Sequence, residues 1–284
     1  MRSIRFTLTI ASALAVLLPA AGSAQADGLA ARVAHLETQL ETLTAALEEA
    51  QEILQYVRVE TEAINGLAGP HWIIEGANVH VRSGSGSTHP CPDAPVCAES
   101  SGLGNLVVGY NEGFPSAARL RGGTHNLVVG PEHAYRSSGG FVAGRHNSVE
   151  GQGASVTGGV ENQALGENAS ICGGERNIAA GTSASVGGGN FNWARGDLSS
   201  VSGGAFNTAS GDRSSISGGS RNEASGTYSS VSGGEGNSAR GEISSVSGGR
   251  ANHASGFVSS VSGEKLRTAH QNFNWAAGSL FEEN

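Results

Sequence analysis

The sequence predicts an all-β solenoid, a parallel β-roll of 15-residue turns, preceded by an N-terminal α-helical coiled coil. Three observations carry this reading. A 15-residue pattern fills the second half of the chain, a heptad pattern of apolar residues lies near its start, and 44 of the 284 residues are glycine. A short fixed period with one β-branched residue, one Ala, one Asn and several Gly per turn is how a solenoid reads in sequence.

Residues 1–26 read as a secretory signal peptide. Arg2 and Arg5 precede an apolar run from Phe6 to Ala21, and Ala24-Gln25-Ala26 offers small residues for cleavage. No Cys follows the run at a lipid-attachment position, and no later stretch is apolar over the length of a membrane-spanning helix. Losing two Arg moves the formal net charge from −8 to −10. That balance argues against nucleic acid or an anionic membrane surface as partner.

From Leu29 the apolar positions alternate steps of four and three through Val33, Leu36, Leu40, Leu43, Leu47, Ala50, Leu54, Val57, Thr61 and Ile64. This heptad seam predicts a self-associating helix over 27–66, about 55 Å long. Leu at both a and d leaves the strand number open, and Ile53 at a g position widens the seam towards more than two chains. "NGLAGPHW" (65–72) reads as the helix stop, and 67–104 as a β-rich connector. Within it "HPCPDAPVC" places Cys91 and Cys97 for a local disulfide, ranked well above a metal site that adds His89. Cys172 is a lone small residue where most turns place Ser.

The roll is expected over 105–284, in about ten turns. Position 3 of successive turns is Val156, Ile171, Val186, Val201, Ile216, Val231, Val246 and Val261, and position 2 is Ser in all eight. Position 9 is Asn162, Asn177, Asn192, Asn207, Asn222, Asn237 and Asn252, with Ala at position 11 and Gly at position 13. Strand alternation turns the Val and Ala columns inward, and the Asn column is suited to a hydrogen-bonded ladder. Glycine is expected at tight corners of positive φ. Phe141 is read in register with the Val column. "NLVVGYN" (105–111) and "HNLVVGPEH" (125–133) are looser relatives. "NFNWAAGSL" (272–280) repeats "NFNWARGDL" (190–198), which predicts an insertion (264–271) in the last turn. Its Leu266, with Leu280 and Phe281, would then cover the open end.

One Val and one Ala per turn is little apolar area to set against ordering fifteen residues. The uniform Ser and Gly face therefore reads, like the heptads, as a contact with further copies of the chain, and a homotrimer is expected.

The "NxASG" and "SSVSGG" units, the opening stretch "HNSVEGQGASVTGG" and the coiled coil resemble the head domains of YadA-like trimeric autotransporter adhesins, over roughly 105–263. That resemblance implies a trimer of left-handed parallel β-rolls on a bacterial surface, used for adhesion. The chain departs from the family in placing its coiled coil before the head. It also shows no anchor after Phe281, which predicts a head that is released or held by another component.

The function expected is a secreted or cell-surface structural and adhesive protein, with no catalysis, no cofactor and no metal. Its expected partners are further copies of itself and an extracellular protein or glycan. Phe191, Trp193 and Phe206 share an outward phase and form the candidate contact patch, with packing between protomers or under a loop as the equal alternative. A solenoid enzyme acting on polysaccharide is the first alternative function. It is disfavoured because the acids fall singly at corners (Asp197, Asp212, Glu242), no Ser sits in a nucleophile elbow, and His125, His133 and His146 recur with the repeat. An ice- or crystal-surface-binding protein is the second, and its usual rows of Thr are missing.

Overall fold

The computed structural model describes residues 23–84, 102–113 and 121–277. Most of the signal segment, the Cys91–Cys97 loop, Leu280 and Phe281 lie outside the described residues. The chain divides into two units, Met1–Val79 and His80–Asn284.

The first unit is one helix, α1 (Ser23–Leu54), followed by a hairpin of β1 (Val57–Glu60) and β2 (His71–Ile74). Leu29, Leu36, Leu40, Leu43, Leu47 and Leu54 are all exposed and Val33 is half-buried, so among the described residues nothing covers the seam. The heptads do not run to Ile64 as a helix. "VRVE" alternates β-branched and charged residues, and it pairs antiparallel with "HWII", Val57 opposite Ile74 and Glu60 opposite His71. Ile64 and Leu67 exchange two backbone hydrogen bonds of 3.0 Å around Asn65-Gly66, whose φ angles are 51° and 81°. That is the Asn-Gly hairpin turn, and it closes the hairpin instead of merely stopping a helix. Val57 and Ile64 therefore belong to the hairpin and not to the helical seam.

The second unit is a parallel β-solenoid. Its described residues form a 12-stranded sheet, from Leu106–Val108 to Trp275–Ala277, and a 10-stranded sheet, from Ala134–Tyr135 to Thr268–Ala269. From Ser155 onward every strand pairs with the residue fifteen positions on, as Ser200 with Ser215 and Ala194 with Ala209. A third row of single bridges runs from Arg145 through Ala205 to Lys265, so each turn touches the next along three sides. The Val column of the first sheet, Val156 to Val261, and the Ala column of the second, Ala164 to Ala269, are at most 1% exposed. Tyr135 and Val149 precede the alanines in their column, so the core is wider at its start.

The Asn column is buried and continuous. Each Oδ1 accepts the backbone N–H of the Asn one turn on, as Asn207 does from Asn222 at 3.0 Å. Each Nδ2 donates to two carbonyls, here Gly203 and Gly219, both at 3.0 Å. These bonds satisfy corner carbonyls that strand pairing leaves over. At the start of the ladder His133 takes the Asn place. Its N–H donates to Asn111 Oδ1 (2.8 Å), its Nδ1 accepts from Asn147 N (3.2 Å), and its Nε2 donates to Val129 O (2.9 Å). Burial holds its imidazole below the usual histidine range.

Three readings of the sequence are extended or corrected by this structure. Glycine holds the positive-φ corner at position 6 from Gly159 to Gly249, as expected, but the positive-φ corners at positions 8 and 15 are held mostly by other residues, among them Phe206 (58°), Arg213 (56°), Ile243 (57°) and Val258 (53°). A non-Gly residue costs about 1–2 kcal/mol there. The geometry aims each corner N–H back at the preceding turn, as Phe206 N to Asn190 O (3.0 Å) and Arg213 N to Asp197 O (2.7 Å). Second, Val142 and not Phe141 joins the Val column. Phe141 pairs with Ser155 and Val142 with Val156, because this sheet advances by fourteen residues at that turn. Third, no insertion occupies 264–271. His253 pairs with Thr268 and Ser260 with Trp275, so the 15-residue register runs through, with Arg267 at the Asn position. Parallel pairing depends on continuous backbone bonds more than on side-chain likeness, which is why the repeated letters misled. Leu266 accordingly points outward at a corner, 68% exposed, and covers none of the described residues.

Position 1 is Ala154, Ala169 and Ala184, then Ser199, Ser214, Ser229, Ser244 and Ser259. Each of these five Ser hydroxyls is buried without a hydrogen-bond partner. A buried, unpaired hydroxyl opposes folding. Ser214→Ala is therefore expected to leave stability unchanged or raise it by up to about 1 kcal/mol, read as an unmoved or higher urea midpoint.

Candidate functional site

The outer face of the Ala sheet carries the chemical variety that the core lacks. Position 10 alternates with the buried positions 9 and 11, so its side chains leave the sheet outward. Down this column stand Ala134, Ser148, Gln163, Ile178 and Trp193. Position 8, at the corner beside it, supplies Glu132, His146, Glu161, Arg176 and Phe191. The two columns and Glu150 line a groove of about 460 Å³ that crosses five turns.

The corner column is braced from Glu161 onward. Glu161 Oε2 accepts a hydrogen bond from Arg176 Nε at 2.6 Å, which holds the Glu161 carboxyl below its usual value and raises the guanidinium. The Arg176 guanidinium lies over the Phe191 ring, 5.4 Å from its centroid. Phe191 and Phe206 stack with centroids 5.1 Å apart and 5° between planes. Arg221 covers the far face of the pair at 5.6 Å, and Glu235 sits 3.7 Å from Arg221. Stacked rings capped by cations at both ends keep a regular spacing of one turn.

The sequence grouped Phe191, Trp193 and Phe206 as one outward patch. The structure places Phe191 and Trp193 on the groove and Phe206 against Phe191, in two adjacent columns. Phe191 and Phe206 stack on each other and against arginine within one chain. Trp193 stands apart in the position-10 column, half-buried, with the Arg195 guanidinium 4.0 Å above its ring, and it closes one end of the groove. The corner acids Asp197 and Asp212 accept backbone N–H bonds from Thr182 and Asp197 and stay outside the groove. His125 and His146 occupy positive-φ corners, and His133 belongs to the buried ladder. Cys172 is exposed and free.

Sequence reading missed the groove. Its signal lay in reading positions 8, 10 and 12 together across turns, but the fourteen-residue step from Ala134 to Ser148 puts Glu132 and Ala134 out of a strict 15-residue alignment.

Among the described residues no group of three His, Cys, Asp or Glu is placed to hold a metal ion. No described helix is long and apolar enough to cross a membrane. No protein-family model matches the chain, and no curated protein sequence matches it.

Proposed function

We propose that the chain is a secreted or cell-surface structural and adhesive protein, a non-catalytic homotrimer that displays a stiff β-roll in the manner of YadA-like adhesin heads. The carrying observation is the division of labour between the two sheets. The outer face of the Val sheet repeats Ser at position 2 through eight turns, while the Ala-sheet face varies and is grooved. A flat small-residue face suits packing against identical rolls, and a varied face suits recognition. The exposed leucines of α1 support self-association independently, since an isolated stripe of that length is poorly compatible with water.

Light scattering tests the assembly on residues 27–284 and on a version beginning at Gly69. Three protomers in both place the contact in the roll; three in the long form alone place it in the helix. One protomer in the long form would defeat the trimer. Leu40→Asp with Leu47→Asp is expected to raise the trimer dissociation constant at least tenfold wherever the helix carries the assembly. Adhesion is tested with protein-coated beads on cells and extracellular matrix.

A polysaccharide-cleaving enzyme is the second reading, favoured by the three glutamates that line the groove. It is the weaker one. Glu161 is ion-paired and held low in pKa, the wrong direction for a general acid, and Glu150 lies 3.6 Å from Arg136. Release of reducing ends from a polysaccharide would reverse the order.

A further inference from the structure

The geometry points to the groove over the Ala sheet as a binding site for a linear, neutral oligosaccharide of β-1,4-linked pyranoses, an inference that rests on the adhesive reading and names its ligand. The floor presents one side chain per turn. At a strand spacing of ~4.8 Å, the five rows from Ala134 to Trp193 span about 19 Å along the roll axis. That step is comparable with the advance of one equatorially linked sugar ring, so successive rings would meet successive rows. The volume, about 460 Å³, falls among small-ligand sites.

The chemistry of the walls selects the class. Gln163 and Ser148 offer amide and hydroxyl groups, and glutamates along the rim accept from sugar hydroxyls. Of the three lining glutamates, Glu161 is paired with Arg176 and Glu150 with Arg136, which leaves Glu132 and no run of one sign to recruit a polyanion or a basic peptide. Ile178 and the Trp193 indole give the apolar surface that the C–H face of a pyranose covers. The Arg–Phe–Phe–Arg stack keeps the neighbouring corner rigid, which lowers the ordering cost of binding.

The test is titration calorimetry of the full chain against tetra- to hexasaccharides of glucose, N-acetylglucosamine and mannose, each β-1,4-linked, with sulfated oligosaccharides and lysine-rich peptides as competing classes. Saturable binding of at least one neutral series is expected, with Trp193→Ala and Gln163→Ala each weakening it tenfold or more. His253→Ala, in the same column four turns beyond Trp193 and outside the groove, is expected to leave it unchanged. Circular dichroism and solution mass identical to the parent would exclude misfolding. No neutral binding, tighter binding of the sulfated or peptide series, or equal loss in His253→Ala overturns the assignment. Beads that still attach to cells while no neutral oligosaccharide binds would overturn the groove and leave the adhesive reading standing. Oligosaccharide binding with no attachment of beads supports the groove and defeats adhesion.

Discussion

Gly204→Ala is expected to destabilise the roll by about 4 kcal/mol, while Gly203→Ala, one residue earlier, is expected to change it by less than about 0.5 kcal/mol. A Cβ at Gly204 would sit 2.1 Å from Gly219 O and 2.7 Å from Asn207 Nδ2, at a φ of +86°. Both neighbours are fixed. The carbonyl accepts from Asn207 and from Ala205 N, and the amide is tied into the ladder. Relief therefore requires parting two turns along a whole side, in addition to the positive-φ penalty. A Cβ at Gly203 meets nothing within 4 Å. Urea unfolding of the two variants checks this pair, and hydrogen exchange should show the loss of protection centred on the turns containing Asn207 and Asn222. Coupling in such an array runs between nearest neighbours, so a mid-roll lesion divides it into two weaker stacks. Equal midpoints for the two variants would show that the close approach of these turns does not limit stability.

Asn207→Ala is expected to cost a similar amount, about 4 kcal/mol. It strips the buried Asn222 N–H of its acceptor and the Gly203 carbonyl of its donor, and leaves the Gly219 carbonyl with Ala205 N alone, so two backbone groups lose their partners. Each such group costs about 1–3 kcal/mol, partly relieved by relaxation. Asn207→Asp is expected to be at least as harmful, because a carboxylate keeps the acceptor, loses both donors and brings a charge into the core. The same change at Asn252 should be milder in global unfolding. Its partners, Gly248 O, Glu264 O and Arg267 N, belong to the last described turns, whose loss frays an end instead of dividing the stack. A thermal unfolding series on Asn207→Ala, Asn207→Asp and Asn252→Ala reads this order directly.

The parts of the molecule legible in its sequence are those where one residue type answers one local demand, turn after turn. Val201 and Ala209 recur because alternation buries them between stacked copies of themselves, and Asn207 recurs because only an amide both donates to corner carbonyls and accepts from the next turn. The same logic made Trp193 and Phe206 recognisable as outward side chains. Their partners were not legible. Whether Phe206 meets a ligand, another chain or Phe191 depends on which residues stand one turn above and below, and a stack with Arg176 and Arg221 at its ends is a property of the column, not of any turn.

Boundaries were misread for a related reason. Val57 and Ile64 fit a heptad seam and a hairpin equally well by spacing, and the pairing of "VRVE" with "HWII" decides between them through contacts a periodicity cannot contain. Trp275 looked like a second Trp193 by its neighbours in sequence, yet pairing with Ser260 places it in the other sheet, in the column of the position-2 serines. The period by itself determined the solenoid, its register and the chemistry of its interior, because stacking identical turns satisfies identical groups. Only the tertiary structure decided where the helix ends, how the last turn continues and that five turns share one groove, because those depend on which unlike residues the stacking brings side by side.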